Sequence, residues 1–328
     1  MTALRVSLLN HIRVLKGKWV CLGLSRLDRP DSLGVPQHER AQATEFCWSN
    51  TKMDDARSKQ MKLYQRVDRV FNELKAIGMG DDDPIPVEQL CNYDQYHYFG
   101  TDAIDEAIEL LGITADSQVL EVGSGIGGPS RYLAHRQGCK VTALEIQPDV
   151  DATGRALTHR CGLDDQVDHR CGDMLDGTGS TGMYDVIVSW LAFLHIPDRD
   201  TLYRRCFESL RPGGKMLVED YFERGTLTER EQLILARDIW CDRVPTMTDY
   251  RVELSSAGFE NIALTDMTTS WRSFVMDRFQ GFQAASERNR VVHGDAIVDG
   301  LHGFYEAVVK LFQDGNLGGI RFTASKPK

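Results

Sequence analysis

The chain has 328 residues, of which 42% are hydrophobic and 26% are charged, and its formal net charge is −10. That length accommodates one large α/β domain with additions and a sizeable core. The acidic balance argues against a nucleic-acid partner, which would need a basic face. No run approaches the roughly 18 apolar residues that cross a bilayer. The eight cysteines include no Cys-x-x-Cys pair, which indicates a reducing compartment, no disulfide framework and no metal site.

The stretch 1–57 predicts an N-terminal extension or linker without a core of its own. Its first 27 residues lack Asp and Glu but carry five Lys or Arg among apolar residues, as amphipathic organelle-targeting segments do. A disordered or docked tail is the alternative. We therefore expect a cytoplasmic protein, with organellar import as the other possibility. Residues 58–328 predict a single domain with helical cap elements at 58–100 and 226–315.

From residue 59 onward the predicted elements alternate. Helical spacing over 59–77 and 101–112 flanks an unusually aromatic segment, Tyr93–Gly100. Strands are predicted from residue 119 and at 140–146, 167–171, 184–189, 215–219, 260–266 and 320–324, the last at a sheet edge. Further helices are predicted from residue 129 and at 148–161, 199–210, 226–243, 248–257, 271–287 and 295–313. This alternation predicts an α/β fold: a doubly wound, Rossmann-like, mostly parallel sheet with helices on both faces.

The sequence Val119-Leu-Glu-Val-Gly-Ser-Gly-Ile-Gly-Gly-Pro-Ser-Arg131 is the centre of this pattern. An apolar strand gives way to four glycines within six residues, and Pro129 stands at a favourable first helical position. Glycines allow a ligand to approach the backbone closely, and a helix N-terminus faces that ligand. A strand, a glycine turn and a helix in this order predict a nucleotide-binding corner.

Successive strand ends supply further nucleoside-binding groups. After Gly123, Gly125 and Gly127 at the first strand end, Glu145 follows the second strand, where an acid accepts from both ribose hydroxyls. The third strand ends at Asp173, which can accept from an adenine amine, with Met174 beside it as an apolar floor. In an open α/β sheet these ends meet at one edge, so we expect them to share one ligand.

Glu121, just before the glycine turn, indicates which nucleoside is bound. A carboxylate at this point repels the pyrophosphate of a dinucleotide and attracts an ammonium group. The amino-acid end of S-adenosylmethionine is a zwitterion, so the residues favour this cofactor over a nicotinamide dinucleotide.

The same stretch resembles the first motif of class I S-adenosylmethionine-dependent methyltransferases. Its Gly-Gly-Pro-x-Arg ending is similar to the small-molecule branch with sarcosine/dimethylglycine, phosphoethanolamine, sterol and tocopherol methyltransferases. Similar motifs follow at Ala143-Leu-Glu-Ile146, Gly172-Asp-Met174, Tyr184–His195, Leu210-Arg-Pro-Gly-Gly214 and Leu254–Phe259. The resemblance implies a seven-stranded sheet with an antiparallel last strand and added helices over the C-terminal strand ends. It also implies cofactor contacts, with the methionine end at Glu121 and the glycines, the ribose at Glu145, the adenine at Ile146, Asp173 and Met174, and the sulfonium above Ser189 and Trp190.

The methyl acceptor is less well specified. Sarcosine/dimethylglycine and phosphoethanolamine methyltransferases carry Asp-Ala-x-Leu-His in the fourth motif, whereas this chain has Leu191-Ala-Phe-Leu-His195. Loss of the aspartate weakens the case for a simple cationic acceptor. We nevertheless expect N-methylation of a small amine, with C- or O-methylation of a hydrophobic sterol- or quinone-like acceptor as the alternative. A cofactor-binding protein without turnover is a remoter alternative.

Two residues are candidates for the chemistry. His195 can serve as a general base near neutral pH, or it can cap the loop before Pro197. Tyr96, with His97 and Tyr98, can form a lid over the cofactor, an aromatic cage for a cation or a core plug. Candidate substrate contacts are Tyr98, Leu191, Tyr221 and Trp271. The partner is a small molecule, and the oligomeric state is left open.

Overall fold

The computed structural model describes Val67, residues 69–177 and residues 181–328. The predicted extension at 1–57 and its targeting segment lie outside these residues, as does most of the helix predicted from residue 59. Within the described part, no helix is both long and apolar enough to cross a membrane.

Seven strands form one sheet in the order β3-β2-β1-β4-β5-β7-β6. The first five run parallel, and β7 is antiparallel to both β5 and β6. The strands are β1 Gln118–Val122, β2 Lys140–Glu145, β3 Val167–Cys171, β4 Tyr184–Trp190, β5 Leu210–Glu223, β6 Glu260–Asp266 and β7 Leu317–Ser325. The strand order reverses between β1 and β4, so the ligand crevice of such a sheet lies at their carboxyl ends.

Helices cover both faces of the sheet, as predicted. They are α1 Arg69–Ala76, α2 Val87–Asp94, α3 Thr101–Leu111, α4 Gly128–Gln137, α5 Pro148–Arg160, α6 Arg199–Ser209, α7 Glu229–Ile234, α8 Met247–Ser256, α9 Thr268–Ala284, α10 Ser286–His293 and α11 Asp295–Asp314. Alternate residues of β1 enter different apolar clusters. Leu120 packs with α6 and α8, and Val119 packs with α3 and α4. This alternation is the strand period of two, and it explains why β1 is apolar on both faces.

Three local predictions were wrong. The glycines Gly213 and Gly214 were expected in a turn between the helix at 199–210 and the strand at 215–219, but they lie inside β5, whose pairing with β4 slips between Tyr184 and Val186 and then resumes. β7 is not an edge strand: it inserts between β5 and β6, and the edges are β3 and β6. The helix predicted over 226–243 is α7 followed by a π-helical turn, Leu235–Ile239.

Candidate functional site

The turn after β1 depends on glycine for both conformation and space. Gly123, Gly125 and Gly127 have φ values of 74°, 55° and 78°. A Cβ atom on Gly123 would lie 2.3 Å from the Cβ of Ala192, which belongs to the turn after β4. A Cβ on Gly128 would lie 2.3 Å from the carbonyl oxygen of Asp94. The glycines therefore allow the turns after β1 and β4 and the end of α2 to meet closely.

Glu121 is buried at the end of β1, with only 2% of its surface exposed. It accepts a hydrogen bond from the hydroxyl of Ser130, on the first turn of α4. Burial raises the pKa of Glu121 to about 8. The pocket beside it is lined by Asp94, Tyr96, His97, Glu121, Gly123, Ser124, Ile126, Pro129 and Trp190. The Ser124 hydroxyl is buried there without a hydrogen-bond partner among the described residues.

Glu145 lies at the end of the neighbouring strand. One carboxylate oxygen accepts from the Gly125 amide at 2.9 Å and the other accepts from the Gln147 amide at 3.0 Å. The carboxylate thus holds the glycine turn in place and keeps lone pairs for further donors. Burial raises its pKa.

The remaining predicted cofactor residues lie around the same strand ends, in different environments. Asp173 follows β3 and accepts from the amide of Leu175 at 2.8 Å. Ile146 exposes 41% of its surface, whereas Met174 is buried in the main apolar cluster. Ser189 is fully buried in β4, and its hydroxyl donates to the Val122 carbonyl of β1 at 2.7 Å. Ser189 therefore also joins the two strands at the switch point.

His195 is not among the residues that line the pocket beside Glu121. It ends a short 3₁₀ turn, Phe193–His195, and its Nδ1 is 3.0 Å from the carbonyl oxygen of Trp240. A carbonyl only accepts hydrogen bonds, so Nδ1 carries a proton. His195 instead lines a different small cavity, with Leu194, Ile196, Pro197, Arg199, Asp242 and Arg243.

The predicted substrate residues come together in a third apolar cluster, beneath α9 and α11. The hydroxyls of Tyr98 and Tyr221 are 2.5 Å apart. The Tyr98 ring meets Trp271 edge-on at 4.7 Å, and Leu191 packs against the same cluster. Both tyrosines and Trp271 are buried, and burial raises the pKa of each tyrosine. Tyr96 lies on the other side of the aromatic segment, with Arg69 5.2 Å above its ring.

The sequence did not predict several residues that lie near the site. Asp94, 37 positions before Arg131, forms a fully buried ion pair with it at 2.9 Å, which ties the aromatic segment to α4. Arg278 of α9 lies over the rings of Tyr98 and Tyr305, at 4.8 Å and 5.0 Å. The spacing between Glu121 and Ser130 could have indicated their contact. The partners of Arg131 and Arg278 could not be found, because tertiary packing decides them.

Across the described ranges, no group of three His, Cys, Asp or Glu side chains is arranged to hold a metal ion.

Known proteins resemble the chain in sequence and in fold. A family model described as "Methyltransferase domain" matches residues 119–214. The sarcosine/dimethylglycine N-methyltransferase of Halorhodospira halochloris is 35% identical over 154 residues, covering 47% of this chain and 55% of that protein. Phosphoethanolamine N-methyltransferase 1 of Zea mays is 28% identical over 184 residues, covering 56% and 36%. The chain thus spans about half or less of these relatives.

Among solved structures, phosphoethanolamine N-methyltransferase 2 of Haemonchus contortus, in complex with phosphomonomethylethanolamine and S-adenosylhomocysteine, superposes with a TM-score of 0.67. The identity is 22%, and the match covers 72% of this chain and 55% of that one. At this identity the likeness concerns the fold, which has the seven-stranded, mostly parallel sheet expected from the sequence.

Proposed function

We propose that this chain, which carries a class I S-adenosylmethionine-dependent methyltransferase domain, is an enzyme that methylates a small amine. The observation that carries the proposal is the buried carboxyl group of Glu121 at the switch point, beside a turn built of glycines. Burial outweighs the Ser130 hydrogen bond and the charge of Arg131 and raises the pKa of that carboxyl to about 8, and a bound ammonium ion would lower this pKa again.

The residues fit the cofactor. The Ser124 hydroxyl, buried without a partner among the described residues, and the Glu121 carboxyl together offer a donor and an acceptor to an amino-acid group. Glu145 can accept from ribose hydroxyls, and Ile146, Asp173 and Met174 are the residues we expect to contact the adenine. When bound, S-adenosylmethionine supplies an electrophilic methyl group on its sulfonium. Trp190 lines the pocket beside Glu121, and Ser189 is buried next to it in β4, where the resemblance would put both near the sulfonium.

Methyl transfer needs alignment and exclusion of water more than acid-base help. An amine, however, must present a lone pair, so its nitrogen loses a proton before or during transfer. His195 can accept that proton on Nε2, since Nδ1 donates to the Trp240 carbonyl. Tyr96 and the aromatic segment around it would cover the reacting groups.

A hydrophobic acceptor is the second candidate, and one observation favours it. Leu191 packs against the aromatic cluster where a carboxylate would serve a cationic amine. Tyr98, Tyr221 and Trp271 supply an apolar wall to either acceptor, so Leu191 is the residue that separates the two candidates.

The full chain incubated with methyl-labelled cofactor and separate amine and lipid fractions of a metabolite extract tests the proposal. We expect label in the amines, and a fall of about a hundredfold in His195→Gln, the lower end of the range for a lost acid-base group. Label confined to lipids would favour the second candidate. Calorimetry should also show binding of S-adenosylhomocysteine and none of NAD; the reverse result would contradict the cofactor assignment.

We further propose that 58–328 is a single methyltransferase domain and that 1–57 is an extension to it. We propose a cytoplasmic location, with organellar import as the alternative. Expression of 58–328 alone should give a protein that binds S-adenosylhomocysteine as the full chain does.

A further inference from the structure

Two uncommon backbone features adjoin beside His195. The π-helical turn Leu235–Ile239 follows α7, and it ends at Trp240, whose φ of 58° and ψ of 40° are left-handed. A π-helical turn contains one residue more than an α-helical turn and often occurs at functional sites. A left-handed conformation is unfavourable for a residue with a Cβ. Their succession indicates that the direction of this backbone matters.

The result of this geometry is the position of one carbonyl group. Trp240 directs its carbonyl oxygen to within 3.0 Å of His195 Nδ1, although the two residues are 45 positions apart. The amides of Trp240 and Cys241 both donate to Leu235, which closes the turn behind that carbonyl. In the neutral ring a proton on Nδ1 leaves the accepting lone pair on Nε2.

Strain is concentrated in the same region. Four non-glycine residues of the described chain have positive φ: Phe99, Leu191, Trp240 and Asn261. Phe99 and Leu191 both pack against the third apolar cluster, and Leu191 begins the turn that leads to His195. Only Asn261 lies elsewhere, on the exposed strand β6. Strained backbone that clusters in this way is typical of functional sites.

We propose that Trp240 is a positioning residue, whose left-handed backbone fixes the orientation and tautomer of His195. This inference rests on the proposed function, because His195 then uses Nε2 to accept the proton of the amine. The proton of the amine N–H bond moves to Nε2. The electron pair left on the amine nitrogen forms the new N–C bond to the methyl carbon. The electrons of the broken S–C bond remain on sulfur.

Variants that remove the same indole but differ in backbone preference test the proposal. Trp240→Gly and Trp240→Asn tolerate the left-handed conformation, whereas Trp240→Val opposes it, since a β-branched residue there is an outlier. Asn261→Val is the matched control: it introduces valine at an equally left-handed position, φ 52°, away from His195. Each full-length protein is labelled with ¹⁵N-histidine, and the His195 signals are assigned from a His195→Gln spectrum.

The readout is the tautomer of the His195 ring, because a general loss of packing would not change this tautomer selectively. At a pH where the rings are neutral, the parent, the Gly variant and the control should show the Nδ1–H form. The Val variant should lose it, and its kcat should lie at least about tenfold below that of the Gly variant. An Nε2–H form in the parent, or identical spectra of the Gly and Val variants, would overturn the proposal.

Two further arms keep the result decisive. If the Val variant does not fold, the Gly and Asn variants still decide the matter: both tolerate the left-handed conformation and should keep the Nδ1–H form, and loss of that form in both would overturn the proposal. If the tautomer follows this order but no protein methylates any acceptor, the proposed function fails while the positioning of His195 by Trp240 is supported.

Discussion

At the scale of single residues, Glu121 combines burial with a proposed role that requires charge. Its carboxyl is 2% exposed and accepts from Ser130, yet an ammonium ligand needs it ionised. With a folded-state pKa of about 8 against an ordinary value of 4.5, the site stabilises the protonated form. Protonated Glu121 therefore contributes to the free energy of unfolding. This contribution is fully present below pH 4.5 and is lost as the pH rises toward 8.

Glu121→Gln tests this coupling. Glutamine keeps an acceptor for Ser130 but cannot ionise, so the variant should gain stability relative to the parent between pH 5 and pH 8. The measurement is the difference in Tm between the two proteins without cofactor, at several pH values. The same variant should bind S-adenosylhomocysteine at least about tenfold more weakly, because a charged hydrogen bond is lost.

Glu109→Gln, an exposed change on α3, is the control for the loss of one acidic charge. It should leave both the pH dependence and the binding unchanged. A Tm difference for Glu121→Gln that does not vary with pH would mean that Glu121 ionises normally in the folded chain.

At the scale of elements, the turns after β1 and β4 are mutually dependent. Gly123 has φ 74°, and its missing Cβ leaves room for Ala192. Leu191, in the turn after β4, also has a left-handed conformation, and its amide donates to the backbone carbonyl of Glu219 in β5 at 2.8 Å. The geometry of the cofactor turn is therefore set partly by a residue 69 positions away in the sequence.

Gly123→Ala should destabilise the chain by about 2–4 kcal/mol, the sum of a left-handed alanine and an overpacked contact. Ala192→Gly in the same chain should recover the steric part and leave about 1 kcal/mol. Denaturant unfolding of the two single variants and the double variant measures the coupling.

Gly162→Ala is the matched comparison. It has a similar φ of 67° but no atom within 4 Å of the added Cβ, so it should lose only about 1 kcal/mol. Strict additivity of Gly123→Ala and Ala192→Gly would show that the two turns are not in contact.

The element scale also shows where sequence patterns succeed. β1 to β4 and β6 match their predicted bounds within a residue, because short apolar or β-branched runs end at glycines, turns or charged residues. The π-helical turn before Trp240 has no such signal. Trp240, which ends it, contacts His195 from 45 positions away, and a continuous helix satisfies the local sequence pattern equally well.

At the scale of the whole molecule, the first described helix closes against the last helices. Glu73 of α1 accepts from His293 at 3.0 Å and from Arg288 at 3.3 Å, both on α10. The two helices lie more than 200 positions apart, and the aromatic segment follows α1 and α2. This contact therefore holds the helical cover of the site together.

Glu73→Gln should weaken this contact by about 1 kcal/mol, because a partly buried charged hydrogen-bond acceptor is lost. Amide hydrogen exchange in α1 should become faster, while binding of S-adenosylhomocysteine should stay the same. Glu287→Gln, an exposed change on α10, should alter neither. Unchanged exchange in α1 of Glu73→Gln would show that other contacts hold the helix.

The sequence by itself determined the sheet class, the cofactor corner and the residues at its strand ends. Apolar periodicity, glycines and a carboxylate before the turn are local signals that act over a few residues. Only the tertiary structure decided the insertion of β7 between β5 and β6, the Asp94–Arg131 pair and the carbonyl that fixes His195. The physical reason is that each of these joins distant segments, and its energy comes from burial and hydrogen bonds that exist only once the chain has packed.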